Sequence, residues 1–174
     1  LYKTDITMDK FHFRKLFLET PTYKSDSFSK DNVLISATSY QINGISQSGK
    51  TKLVKNYLLG LKKNSYMYLD CRDLRIDIDE LNKTLSTFCN KYKINTLVLD
   101  NYIEDIKIVN VPQLIICSEV RFEIDFLTSV KLYPLDYEEF LAYEHKYDST
   151  ALNHFFKLGG FPSMHKINSD ERVV

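Results

Sequence analysis

Eight consecutive residues, Gly44-Ile45-Ser46-Gln47-Ser48-Gly49-Lys50-Thr51, follow the pattern G-x-x-x-x-G-K-[ST] in full. Each fixed position has a chemical reason. Gly44 and Gly49 are expected to take backbone angles that a Cβ would oppose. The amides from Ile45 to Thr51 can then turn inward as a concave seat for an anion. A helix starting near Lys50 adds its positive N-terminal end. The Lys50 ammonium can reach β- and γ-phosphates, and the Thr51 hydroxyl can ligate Mg2+. The bland alternative is a Gly-rich turn with a surface lysine. The short β segment before the loop and the amphipathic helix after it argue against that alternative.

Two further pieces lie downstream. Thr96-Leu97-Val98-Leu99-Asp100 is an apolar run ending in an acid. It places a carboxylate at the C-terminal edge of a buried strand, where ligands bind in open α/β sheets. Asp100 is therefore expected to share the Mg2+ position with Thr51. Leu114-Ile115-Ile116-Cys117-Ser118 ends in a hydroxyl. Ser118 is a candidate γ-phosphate sensor, or simply a turn former.

The elements that must position these groups are legible in the hydrophobic period. Leu53, Val54, Tyr57, Leu58 and Leu61 mark one face of a helix over 50–62. Residues 65–69 read as a strand closing on Asp70. Asp77-x-x-Glu80 opens a second helix with the stripe Ile78, Leu81, Leu85, Phe88 and Tyr92. Residues 95–99, 111–117 and 130–135 read as short buried strands. Asp136-x-x-Glu139 starts another helix, and a last helix from Ser149 ends at Gly159-Gly160. Near the N-terminus, Thr7 to Glu19 has helical spacing before Pro21. Strands alternating with helices imply a parallel sheet of α/β class. Three parts follow: an N-terminal helix and loop over 1–30, a nucleotide-binding core over 31–135, and a helical lid or the start of a further domain over 136–174.

Composition fits this class. The chain has 174 residues, 44% hydrophobic and 26% charged, so wholesale disorder is not expected. Lys plus Arg equals Asp plus Glu, 23 against 23, which argues against a global footprint for nucleic acid. No apolar run approaches the roughly 18–20 residues of a membrane span. Cys71, Cys89 and Cys117 form no pair or ligand cluster and suit a reducing, cytoplasmic setting. His145, His154 and His165 lack metal-ligand spacing.

Together the motifs resemble those of prokaryotic AAA-type ATPases of the archaeal-ATPase and STAND-related group. The carrying residues are GISQSGKT, LVLDN, IICSE, the stretch Tyr133 to Leu141, and Gly159-Gly160-Phe161-Pro162, over about residues 41–162. The PLDYEEFL and GGFP pair at this spacing is what points to the group. The resemblance implies a P-loop NTPase-type sheet of order 5-1-4-3-2, a C-terminal helical lid, and Mg2+ and ATP as cofactors. It implies the nucleotide as ligand, with a protein partner or self-association.

The departures bear on chemistry. The group's Asp-Glu pair is here Asp100-Asn101. An amide cannot take the proton of an attacking water, so hydrolysis is expected to be weak or lost. Restoring a glutamate at 101 is expected to raise turnover. Leu127-Thr128 stand where the group has Gly-Arg. Arg121 is nearby in sequence, and Glu104 and Asp105 are substitute candidates for the base. The leading expectation is a Mg-ATP-binding ATPase domain. The alternatives are a non-hydrolysing, nucleotide-gated interaction module and, less favoured, a small P-loop kinase. No guanine-reading Asn-Lys-x-Asp motif is present, which favours ATP.

Overall fold

The structure, a computed structural model, describes residues 39–144 and 147–161. The expected N-terminal helix, His145, His165, Pro162 and the tail beyond it lie outside the described residues. In chain order the elements are β1 (Tyr40–Asn43), α1 (Lys50–Leu59), β2 (Tyr66–Asp70), α2 (Ile78–Tyr92), β3 (Thr96–Asp100), β4 (Gln113–Ser118), β5 (Thr128–Lys131), α3 (Tyr137–Glu144) and α4 (Ser149–Leu158).

The five strands form one sheet in the order β2-β3-β4-β1-β5, and every pairing is parallel. All C-terminal strand ends therefore gather on one edge. The registers place Asp70 opposite Asp100, and Asn43 between Ser118 and Lys131. Period-2 alternation divides the buried side chains between two faces. Ile42, Tyr68, Val98, Ile115 and Cys117 pack with Val54 and Leu58 of α1. Met67, Leu69, Leu97, Leu99, Leu114 and Ile116 pack with Leu81, Leu85, Phe88 and Cys89 of α2. Double-sided burial is why these strands read as near-continuous apolar runs.

Local chemistry sets the helix ends. Asp77 caps α2 by accepting from the Glu80 amide at 3.0 Å. Ahead of α3 the capping box is reciprocal: the Glu139 amide donates to Asp136 Oδ1 at 2.8 Å, and the Asp136 amide to Glu139 Oε2 at 3.1 Å. Asp148 caps α4 through the Thr150 and Ala151 amides.

The fifth strand departs from expectation. The apolar run suggests 130–135, but β5 covers Thr128–Lys131 and is mostly exposed. Among the described residues it pairs only with β1, as an edge strand. The run's apolar residues serve other places. Leu132 joins the core beneath α1, while Leu135 joins a separate small core with Phe140 and Ala151.

That small core is tied to the rest through backbone. The Leu135 amide donates to the Gly160 carbonyl at 2.7 Å. A Cβ on Gly160 would collide with the Leu135 backbone. Leu135 and Gly160 thus meet main chain to main chain. Gly160→Ala is expected to cost about 1–3 kcal/mol and loosen α3 and α4, because rigid backbone cannot yield. Gly60→Ala is the control: its Cβ would meet only Tyr57 O, at 3.5 Å. Thermal melts that fall equally for both would contradict this account.

Candidate functional site

The glycine-rich loop leaves β1 at the C-terminal edge of the sheet and runs into α1. Gly44 is required for a reason other than the one expected. Its backbone angle is ordinary, but a Cβ there would collide with the Leu132 carbonyl oxygen and crowd Ser48 Oγ at 2.8 Å. Gly49, by contrast, sits at φ 98°, in the left-handed region that favours glycine. It is the N-cap of α1 and supplies no side-chain cap, and the first turn holds no acid. The helix N-terminus is thus left electropositive, the arrangement that suits an anion.

Lys50 is only 6% exposed. Its Nζ donates to Gly44 O at 2.6 Å and to Ile45 O at 2.8 Å. The ammonium is thereby held inside the loop. Burial pulls its pKa below the ordinary 10.5, while the carboxylates of Glu119 and Asp100 act upward and Arg72 acts downward. Ser48 is 3% exposed, and its Oγ has no hydrogen-bond partner among the described residues. Ile45, Ser46 and Gln47 form the exposed outer arc.

Asp100 is 1% exposed at the end of β3. Its Oδ2 accepts from Thr51 Oγ1 and from Tyr68 OH, each at 2.6 Å. Its Oδ1 accepts from the Asn101 amide at 3.0 Å. The structure thus brings Lys50, Thr51 and Asp100 to one edge, with Asp100 facing α1. Two hard oxygen donors in contact, Thr51 Oγ1 and Asp100 Oδ2, match what Mg2+ prefers when phosphate oxygens complete its shell. Among the described residues no group of three or more His, Cys, Asp or Glu side chains could hold a metal ion.

Asn101 adopts φ 54°, a conformation asparagine tolerates better than most residues. Its Nδ2 donates to Asp70 Oδ1 at 2.8 Å. The Asn101 side chain is therefore occupied in tying β3 to β2. Ser118 Oγ donates to Val120 O at 2.6 Å, closing a local turn. Glu104 and Asp105 are exposed in the segment that follows β3. That segment is pinned to α2 by Asn82, which donates to Asp105 O and accepts from the Lys107 amide. Tyr102 and Ile106 bury it in the core on the α2 side, the face opposite α1. Arg121 is exposed.

Sequence reasoning missed four residues at this edge: Tyr68, Asp70, Arg72 and Glu119. A signal existed for two of them. YMYLD has the same form as TLVLD, an apolar strand ending in an acid, and period 2 puts Tyr68 and Asp70 on one face. None of the thiols is activated: burial pushes Cys71 up to about 12, Cys89 up to about 11, and Cys117 well above its ordinary value.

Burial, then the Asp100 charge and hydrogen bond, raise the Tyr68 phenol above its ordinary 10.0. The unfolded chain releases this proton at a lower pH than the folded one. The stabilisation is thus complete below pH 10 and is lost as pH climbs beyond it. Tyr68→Phe is expected to cost about 0.5–1.5 kcal/mol near neutrality, yet to flatten the alkaline fall in stability. Urea midpoints measured on both sides of pH 10 test this, and an equally steep fall in the variant would overturn it.

Neither a family model, nor a curated protein, nor a solved structure matches this chain.

Proposed function

We propose that the chain is a Mg-ATP-binding P-loop domain of AAA type, with weak or no hydrolysis. The observation that carries this reading is the contact of Thr51 Oγ1 with Asp100 Oδ2 at 2.6 Å, beside a lysine buried in its own glycine-rich loop. The parallel sheet, which read from β5 runs 5-1-4-3-2, supports a P-loop NTPase core. The α3–α4 pair would be its lid, hung from the segment that touches Gly44.

Each group has a role in this reading. The loop amides and the N-terminus of α1 seat the phosphates. Lys50 exchanges its two loop carbonyls for β- and γ-phosphate oxygens. Thr51 and Asp100 would hold Mg2+, which supplies charge neutralisation at the phosphates when bound. Tyr68 is a positioning residue that fixes the Asp100 carboxylate. A second reading, a nucleotide-gated interaction module, is favoured by Asn101, whose amide is engaged with Asp70 rather than free to act on water. A protein partner or self-association would read out occupancy. A cytoplasmic location belongs to the same proposal. No helix of the described residues is long and apolar enough to cross a membrane.

Titration with Mg-ATP is expected to show binding, and Lys50→Ala is expected to weaken it about tenfold or more. No binding to the wild-type protein at millimolar Mg-ATP would end this reading. Loss of a general base costs about 10²–10⁴ in rate, so phosphate release by the bound protein is expected to be very slow.

The geometry argues against one expectation, that Asn101→Glu raises turnover. A glutamate there would lose the bond to Asp70, set two carboxylates together, and occupy a left-handed backbone position. The combined cost is roughly 2 kcal/mol or more. The variant is expected to melt lower and gain no phosphate release. A faster variant of unchanged melting temperature would restore the simpler view of Asn101.

A further inference from the structure

Arg72 follows β2, and Glu119 follows β4. The strand between them is β3, which ends in Asp100. Arg72 Nη2 nevertheless meets Glu119 Oε1 at 3.0 Å. The pair therefore spans two strand spacings, about 10 Å, across the C-terminal end of β3. It is a strap over the edge where Lys50, Thr51 and Asp100 converge. The Arg72 backbone is fixed as well, its amide donating to Asp70 Oδ1 at 3.1 Å.

We propose that Arg72 recognises the γ-phosphate, and that Glu119 holds the guanidinium in reserve until a triphosphate displaces it. The inference rests on the nucleotide-binding reading above. Two observations and one electrostatic argument carry it. First, the pair is solvated, with side chains 62% and 48% exposed, so little holds it closed. A terminal phosphate offers three acceptor oxygens and up to about two negative charges. That is a stronger partner for a guanidinium fork than one carboxylate. Second, Glu119 directly follows Ser118, whose carbonyl accepts from the Gly44 amide at 3.2 Å. One end of the strap therefore adjoins the first residue of the loop that would meet the same phosphate. Third, Glu119 and a γ-phosphate are competing anions at one positive site. Entry of the phosphate expels the carboxylate and frees the arginine together.

The chain thereby gains a cation that Leu127-Thr128 do not supply. ADP lacks the γ-phosphate and leaves the strap closed, so occupancy by ATP and by ADP differs in one ion pair at the sheet edge.

The test is calorimetric titration of the full chain with Mg-ATP and, separately, Mg-ADP. Arg72→Ala is expected to weaken ATP about tenfold or more while moving ADP by less than about threefold. Glu119→Gln is expected to shift ATP the other way, tightening it severalfold with little effect on ADP. Both side chains are exposed, and thermal melts check that the variants fold. Equal effects of Arg72→Ala on the two nucleotides, or none, would overturn the inference while leaving the nucleotide site standing. Weaker ATP binding by Glu119→Gln would also overturn it, by making Glu119 a contributor to the site. If the wild-type protein bound neither nucleotide, the underlying reading would fall and this one with it.

Discussion

The rest of the structure is arranged around one buried carboxylate. Asp100 is almost fully removed from water, and a lone charge in that position would be costly. Three donors from three elements make it tolerable: Thr51 from α1, Tyr68 from β2, and the amide of Asn101 just past β3. Those bonds lock the angle of α1 against the sheet and the register of β2 against β3. They also explain an aromatic hydroxyl in the middle of an apolar strand. Tyr68 contributes its ring to the core beneath α1 and its oxygen to the carboxylate.

Much of this was legible from residue types. The helices over 50–59 and 78–92 were visible because their apolar residues keep a period of 3.6. The strands at 66–70, 96–100 and 113–118 were visible because both of their faces are covered. The glycine-rich loop and Asp100 were legible for a different reason, since their spacing has a chemical meaning in one dimension. The limits were equally physical. Leu132 and Leu135 looked like one strand because periodicity does not say which core a leucine joins. Gly44 looked like a conformational glycine, whereas it is a steric one, and the carbonyl it must clear lies 88 positions along the chain.

The side-chain partners were the least legible. Asn101 reads as a missing glutamate only when its neighbours are unknown. In the fold it shares with the Arg72 amide the task of donating to Asp70, beside Asp100. Arg72 and Glu119 are 47 residues apart and carry no local pattern, so only strand order brings them together. Chemistry written in a contiguous motif survives reading in one dimension. Chemistry assembled from strand ends appears only once the sheet is ordered.

The segment from Leu132 to Leu135 has a practical consequence. Its first carbonyl faces Gly44 and its last faces Gly160, each so closely that no side chain fits between. Hydrophobic clustering would divide the chain here, because Leu132 and Leu135 belong to different cores. The main chain says otherwise. Four residues are gripped at both ends by glycines 116 positions apart, which makes the span a spacer of fixed length. Recombination, permutation or a tag would be better placed at the exposed turn of Lys62, Lys63 and Asn64. A single residue inserted within 132–135 would move one glycine contact out of step with the other, separating two cores that form distinct clusters among the described residues.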